Sequence, residues 1–79
     1  MISFEIVKAG NADAIQIYAD EQGLRMLVEV LQEVGRAGGH RHLRSGFQLA
    51  ERSPYGAPAV AEVIIDKSDF DCCVVSTPE

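Results

Sequence analysis

"DEQGLRMLVEVLQEVGRAGG", Asp20 to Gly39, decides how the rest of the chain is read. Leu24, Leu27, Val28, Leu31 and Val34 recur at three- and four-residue spacing. That spacing winds them onto one stripe of an amphipathic helix, predicted from Glu21 to Arg36. Gln22, Arg25, Glu29, Gln32, Glu33 and Arg36 line its outer side. The Asp20 carboxylate can accept from the free amides of the first turn, and Glu21 suits the positive end of the helix dipole. Gly38-Gly39 supplies the left-handed stop. Sixteen residues at ~1.5 Å each make about 24 Å of helix, long enough to lie across a four-stranded sheet.

On both sides of the helix the period drops to two, the mark of a half-buried strand. Upstream, Ile2, Phe4 and Ile6 oppose Ser3, Glu5 and Val7. After the "AGNAD" turn, Ile15, Ile17 and Ala19 oppose Gln16 and Tyr18. These two strands read as a hairpin. Downstream, His40 to Leu49 alternates, with Leu43, Phe47 and Leu49 inward and His40, His42, Arg44 and Gln48 outward. "AERSPYGAP", Ala50 to Pro58, reads as a loop. In the last clear strand, Ala59 to Asp66, Ala61, Val63 and Ile65 are expected to face the core, and Val60, Glu62 and Ile64 to face away. The order strand-strand-helix-strand-strand, with one helix to cover one face, predicts a two-layer α+β domain over residues 1–66. Its sheet is expected to be four-stranded and mainly antiparallel. Residues 67–79 are expected to form a C-terminal tail, with a short fifth strand at Phe70 to Val75 as the other reading.

Composition bounds the function. Seventy-nine residues make one small domain with a thin stability margin. Cys72 and Cys73 are adjacent, so they form no ordinary loop-closing bridge and read as reduced thiols. No apolar run approaches the ~20 residues of a membrane span. The opening "MISFEIVKAG" lacks the pattern of a secretion signal, so the expected compartment is the cytoplasm. The net charge of −5 argues against nucleic acid as a partner. The charge is uneven: Arg36 to Arg52 holds four arginines and one acid, Glu51, and the remainder holds three bases and eleven acids.

"GGHRHLRSG", Gly38 to Gly46, falls in that basic island. His40 and His42 are two apart, which places both rings on one face of a strand, ~7 Å apart along it. Two imidazoles can ligate a divalent ion if a third ligand joins them. Arg41 and Arg44 oppose this, and only Cys72, Cys73 or Glu62 could complete the set through the fold. Ser45 lies on the other side of the strand from both histidines, so no nucleophile–base pair is evident. "RAGGHRH" follows a helix and precedes a strand, the reverse of a phosphate loop. The residues therefore point first to a non-enzymatic binding domain without cofactor; the alternatives are a small structural or regulatory homodimer and a small metal-binding protein using His40 and His42. The sheet face opposite the helix is the candidate partner surface, carried by Tyr18, His40, His42, Arg44, Gln48 and Glu62. A homodimer would use the same surface.

Taken together, "ISFEIV", "IQIYADEQGLRMLVEVLQEV", "GGHRHLRSGFQLAE" and "AVAEVIID" resemble the small bacterial immunity proteins of polymorphic toxin systems, and most of all the family called immunity protein 32. The likeness spans about residues 2 to 66, and "GGHRHL" directly after the helix is its most specific part. The chain departs from the pattern in carrying Phe47 in "RSGFQLAE" and no tryptophan. The resemblance implies a cytoplasmic inhibitor that binds and blocks a cognate protein toxin. The matching positions are Gly39, His40, His42 and Leu43, with Leu43 in the core and the histidines as contacts.

Overall fold

A computed structural model describes residues 1–68 of the chain. The elements are β1 (Ile2–Ala9), β2 (Ala12–Ala19), α1 (Glu21–Ala37), β3 (His40–Arg44) and β4 (Glu62–Asp66). The α+β class and the element order agree with the sequence reading. Of the expected tail, Lys67 and Ser68 are described, and Lys67 donates from its N–H to Gly39 O at 3.1 Å and from Nζ to Gly35 O at 2.9 Å; the rest, with the alternative fifth strand at Phe70 to Val75, lies outside the described residues.

β1 and β2 pair antiparallel over their full length, from Ile2↔Ala19 to Ala9↔Ala12. The connection is tighter than the expected five-residue loop: Gly10 and Asn11 alone join the strands. Gly10 takes φ 68° while Asn11 does not take a positive φ. That combination is the pattern of a II′ turn, in which the first loop residue must be free of a Cβ. The helix begins as expected. The Asp20 side chain accepts from Gly23 N at 2.8 Å and from the Met1 amino group at 2.5 Å. Gly38, at φ 80°, ends it with its N–H on the Val34 carbonyl.

The strands do not join into the four-stranded sheet expected from the sequence. They form two separate two-stranded sheets, β1-β2 and β3-β4. Single backbone hydrogen bonds bridge them: Ala50 N donates to Ile2 O and Val60 N to Phe4 O, both at 2.8 Å. The free edge of β1 is therefore satisfied by two residues distant in sequence, not by a continuous strand. The reason lies between Ser45 and Ala61. β3 ends at Arg44, where Gly46 at φ 83° turns the chain. Leu49 N and Phe47 N both return to Arg44 O, at 3.0 and 3.1 Å.

This turn corrects three core assignments. Leu49 is buried as expected, but Phe47 projects from the turn and is 81% exposed. Val60 packs against the core and Ala61 is exposed, the opposite of the expected faces, because Val60 is drawn to β1 before β4 begins. The helix stripe is also wider than its covered part. Gly23, Val30 and Val34 are buried and Met26 and Leu27 half-buried, while Leu24, Val28 and Leu31 face outward. The core is Ile2, Phe4, Val30, Val34, Leu43 and Leu49, bordered by Val63 and Ile65 as the alternation of β4 predicts.

Candidate functional site

Register builds the site on the second sheet. Leu43 pairs with Val63 and Arg41 with Ile65, and these four point toward α1. Arg41 confirms the direction by its ion pair with Glu33 of the helix. The intervening pairs, His40↔Asp66, His42↔Ile64 and Arg44↔Glu62, must then face away. Four of the expected surface residues meet there. The His40 and His42 rings stand edge to face with centroids 5.0 Å apart. Oε2 of Glu62 lies 2.7 Å from His42 Nδ1 and accepts from Arg44 Nε at 3.0 Å. An ionised carboxylate can only accept, so the contact with His42 requires the ring form that carries its proton on Nδ1. Gln48 joins through the turn, where its Oε1 accepts from Arg44 N at 3.0 Å. His42, Arg44, Gln48 and the exposed Phe47 line a shallow hollow of about 290 Å³.

Tyr18 is not part of this group. Its ring meets Tyr55 edge on, with centroids 5.8 Å apart. Tyr55 belongs to the loop read from "AERSPYGAP", which folds on itself around Ser53. The Ser53 hydroxyl accepts from Tyr55 N and Ala57 N, each at 3.2 Å. Ser3, the cross-strand partner of Tyr18, is buried on that same face. The loop therefore closes the hairpin end of the surface that was expected to be open. Burial, then Glu5 and Tyr55, push the Tyr18 phenol above its ordinary value.

The basic island is largely spent inside the molecule. Arg41 is held by Glu33, Arg44 by Glu62, and Arg52 Nη1 donates to Gly56 O at 2.9 Å. What remains is a polar face fixed by paired charges. Among the described residues no three of His, Cys, Asp and Glu gather in a metal-binding group. Of the third ligands the sequence allowed, Glu62 is on this face but is shared with the Arg44 guanidinium, and the two cysteines lie outside those residues. Sequence reasoning missed Phe47 as a surface residue. The Ser45-Gly46 dipeptide, a turn signal of the kind that interrupts strands, was the clue.

The hydrogen bond to His42, followed by that from Arg44, holds the Glu62 carboxyl below the ordinary glutamate value. The folded value is the lower one, so the cluster's stabilisation is complete above the unfolded value of ~4.3 and is lost as pH falls through the folded one. Glu62→Gln is therefore expected to flatten the fall of Tm on the acid side of pH ~4.3. Thermal melts by circular dichroism over a pH series measure this, and an unchanged slope would show that Glu62 is not engaged in solution.

Fold and face together define a small α+β domain with a preorganised polar surface opposite its helix. No protein-family model matches the chain, and neither a curated protein nor a solved structure matches it. No helix among the described residues is long and apolar enough to cross a membrane.

Proposed function

We propose that the chain is a non-enzymatic protein-binding domain that docks through the outer face of β3 and β4, and that it serves as a cytoplasmic immunity protein against a cognate toxin. The observation that carries the binding role is the His42–Glu62–Arg44 cluster. Its side chains are already held by one another, so little rotamer entropy is lost when a partner arrives. Exposed Phe47 and Ile64 stand beside it. An aromatic, an aliphatic and an arginine among polar groups match the composition of interface centres. The immunity role rests on the resemblance of "GGHRHL" and its flanks to that family. The net charge of −5 supports it, since an acidic inhibitor is drawn quickly to a basic toxin cleft.

The test is protection. A toxin encoded beside this gene is expected to kill cells that lack the protein and to spare cells that make it. Equal survival of both sinks the reading. At the level of residues, His40→Gln with His42→Gln is expected to weaken toxin binding about tenfold or more, the loss of ~1.4 kcal/mol that a small set of interface contacts supplies. The melting temperature is expected to move little, because both rings lie on the outer face. Titration calorimetry and a melt measure the two effects, and unfolding of the double variant would instead assign the pair to the fold.

A further inference from the structure

Among the described residues, six hydrophobic side chains are buried and ten large ones are exposed. The excess is not scattered. Ile6, Ile15 and Ile17 continue the face of the hairpin that begins with buried Ile2 and Phe4. Leu24, Val28 and Leu31 lie on α1 roughly opposite the flank where Glu33 meets β3, at about 100° per residue. One flank of the helix thus leans on the second sheet, and the other overhangs the hairpin. α1 packs beside β2, and this placement sets the two exposed rows on the helix side of the hairpin, along one apolar corner.

Each of these six residues is between 47% and 70% exposed. Together they amount to roughly 600 Å² of apolar surface, at the top of the range for the largest patch on an ordinary monomer. That is most of the ~800 Å² each partner contributes to a standard interface. The edge beside the patch is open as well. Pairing alternates from Ala9↔Ala12 at the turn, so Ala12, Ala14, Gln16 and Tyr18 bond to β1 and the N–H and C=O of Ile15 and Ile17 point outward. The outward carbonyls of Ile2 and Phe4 on β1 follow the same alternation. Among the described residues, Ile15 and Ile17 meet no further backbone partner. Edge strands are usually guarded by proline, a bulge or an inward charge. β2 has eight residues, no proline and an unbroken register, and the one charge on its apolar face, Asp13, sits at the turn end in an ion pair with Lys8 at 2.7 Å.

We propose that this corner is the contact between two copies of the chain, with β2 pairing antiparallel to β2 across a two-fold axis at Gln16. The sequence of β2 fits itself in this register. Ile15 falls opposite Ile17 of the second copy and Asp13 opposite its Ala19, so no like charges meet. Four strands then share one apolar face in the order β1-β2-β2-β1, and both helices offer Leu24, Val28 and Leu31 to the seam. The surface is separate from the β3-β4 face, so it stands or falls apart from the function proposed above.

Sedimentation of the full chain over a concentration series is expected to give twice the 8.6 kDa monomer mass. Ile15→Lys, at a position 70% exposed, is expected to leave the circular dichroism spectrum unchanged and to raise the dimer dissociation constant at least tenfold. In a Cys72→Ser, Cys73→Ser background, Gln16→Cys is expected to oxidise to a covalent dimer. Residues facing across a non-hydrogen-bonded antiparallel pair have Cα atoms ~4.5 Å apart, within disulfide reach. A chain that stays monomeric at the highest concentration, or a dimer indifferent to Ile15→Lys, overturns the proposal. So does a Gln16→Cys chain that retains Cys72 and Cys73 and bonds to one of them within the same chain instead of to its second copy.

Discussion

Leu43→Ala is expected to cost about 3 kcal/mol, within the range for removing a buried leucine and leaving a partly relaxed cavity. Leu43 is fully buried, pairs with Val63 across β3-β4, and is one of six buried hydrophobic side chains among the described residues. A domain of this length has on the order of 4–12 kcal/mol in all, so the loss is a large share of it. Tm is expected to fall by roughly 12–24 °C, at ~4–8 °C per kcal/mol for a chain of this size. Phe47→Ala is the companion measurement. By alternation alone Phe47 shares the inward side with Leu43, yet in the fold it is 81% exposed. Its replacement is expected to change stability by no more than ~0.5 kcal/mol. Urea or thermal denaturation separates the two cases, and equal losses at both sites would restore the uninterrupted strand read from the sequence.

Gly23→Ala is expected to destabilise although it places a better helix former in a helix. A Cβ at Gly23 would lie 2.4 Å from Met1 O, 2.9 Å from Met1 C and 3.2 Å from Ile2 Cβ. Two of those atoms are backbone, and Met1 O also accepts from Asp20 N at 3.0 Å. Relief of the clash must therefore shift the start of β1 or the cap of α1. Overpacking costs ~1–3 kcal/mol, and the gain in propensity over glycine is at most ~1 kcal/mol. The net expectation is a loss of about 1–2 kcal/mol, with Tm lower by about 4–16 °C. Gly35 is the control in the same helix. A Cβ there meets nothing within 4 Å. Gly35→Ala is expected to gain ~0.5–1 kcal/mol. Opposite signs for two identical substitutions follow from the close approach of Met1 and Ile2, and a stabilising Gly23→Ala would mean that approach is absent in solution.

Much of the candidate site was legible because its causes are local. The two-residue spacing of His40, His42 and Arg44 needed only a strand to set all three on one face. Gln48 reached them by a different route, through a turn. Glu62 was assigned to the right face by the alternation of Val63 and Ile65. Tyr18 was assigned by the same rule and correctly faces away from the helix, but Tyr55 lies against it. Nothing in the alternation of β2 carries information about a loop more than thirty residues downstream.

The order of elements, the bounds of the helix and the inward or outward sense of β3 were determined by the sequence itself. Each depends on side-chain period and capping, which act over a few neighbouring residues. The division into two sheets, the projection of Phe47 and the burial of Val60 were decided only by the tertiary structure. They hinge on which residues satisfy the free carbonyls of Ile2 and Phe4, and that is a competition between segments far apart along the chain. Period shows which side of an element is apolar; how much of that side is covered depends on what packs there. One helix over two narrow sheets covers Val30 and Val34 and leaves Leu24, Val28 and Leu31 in the open.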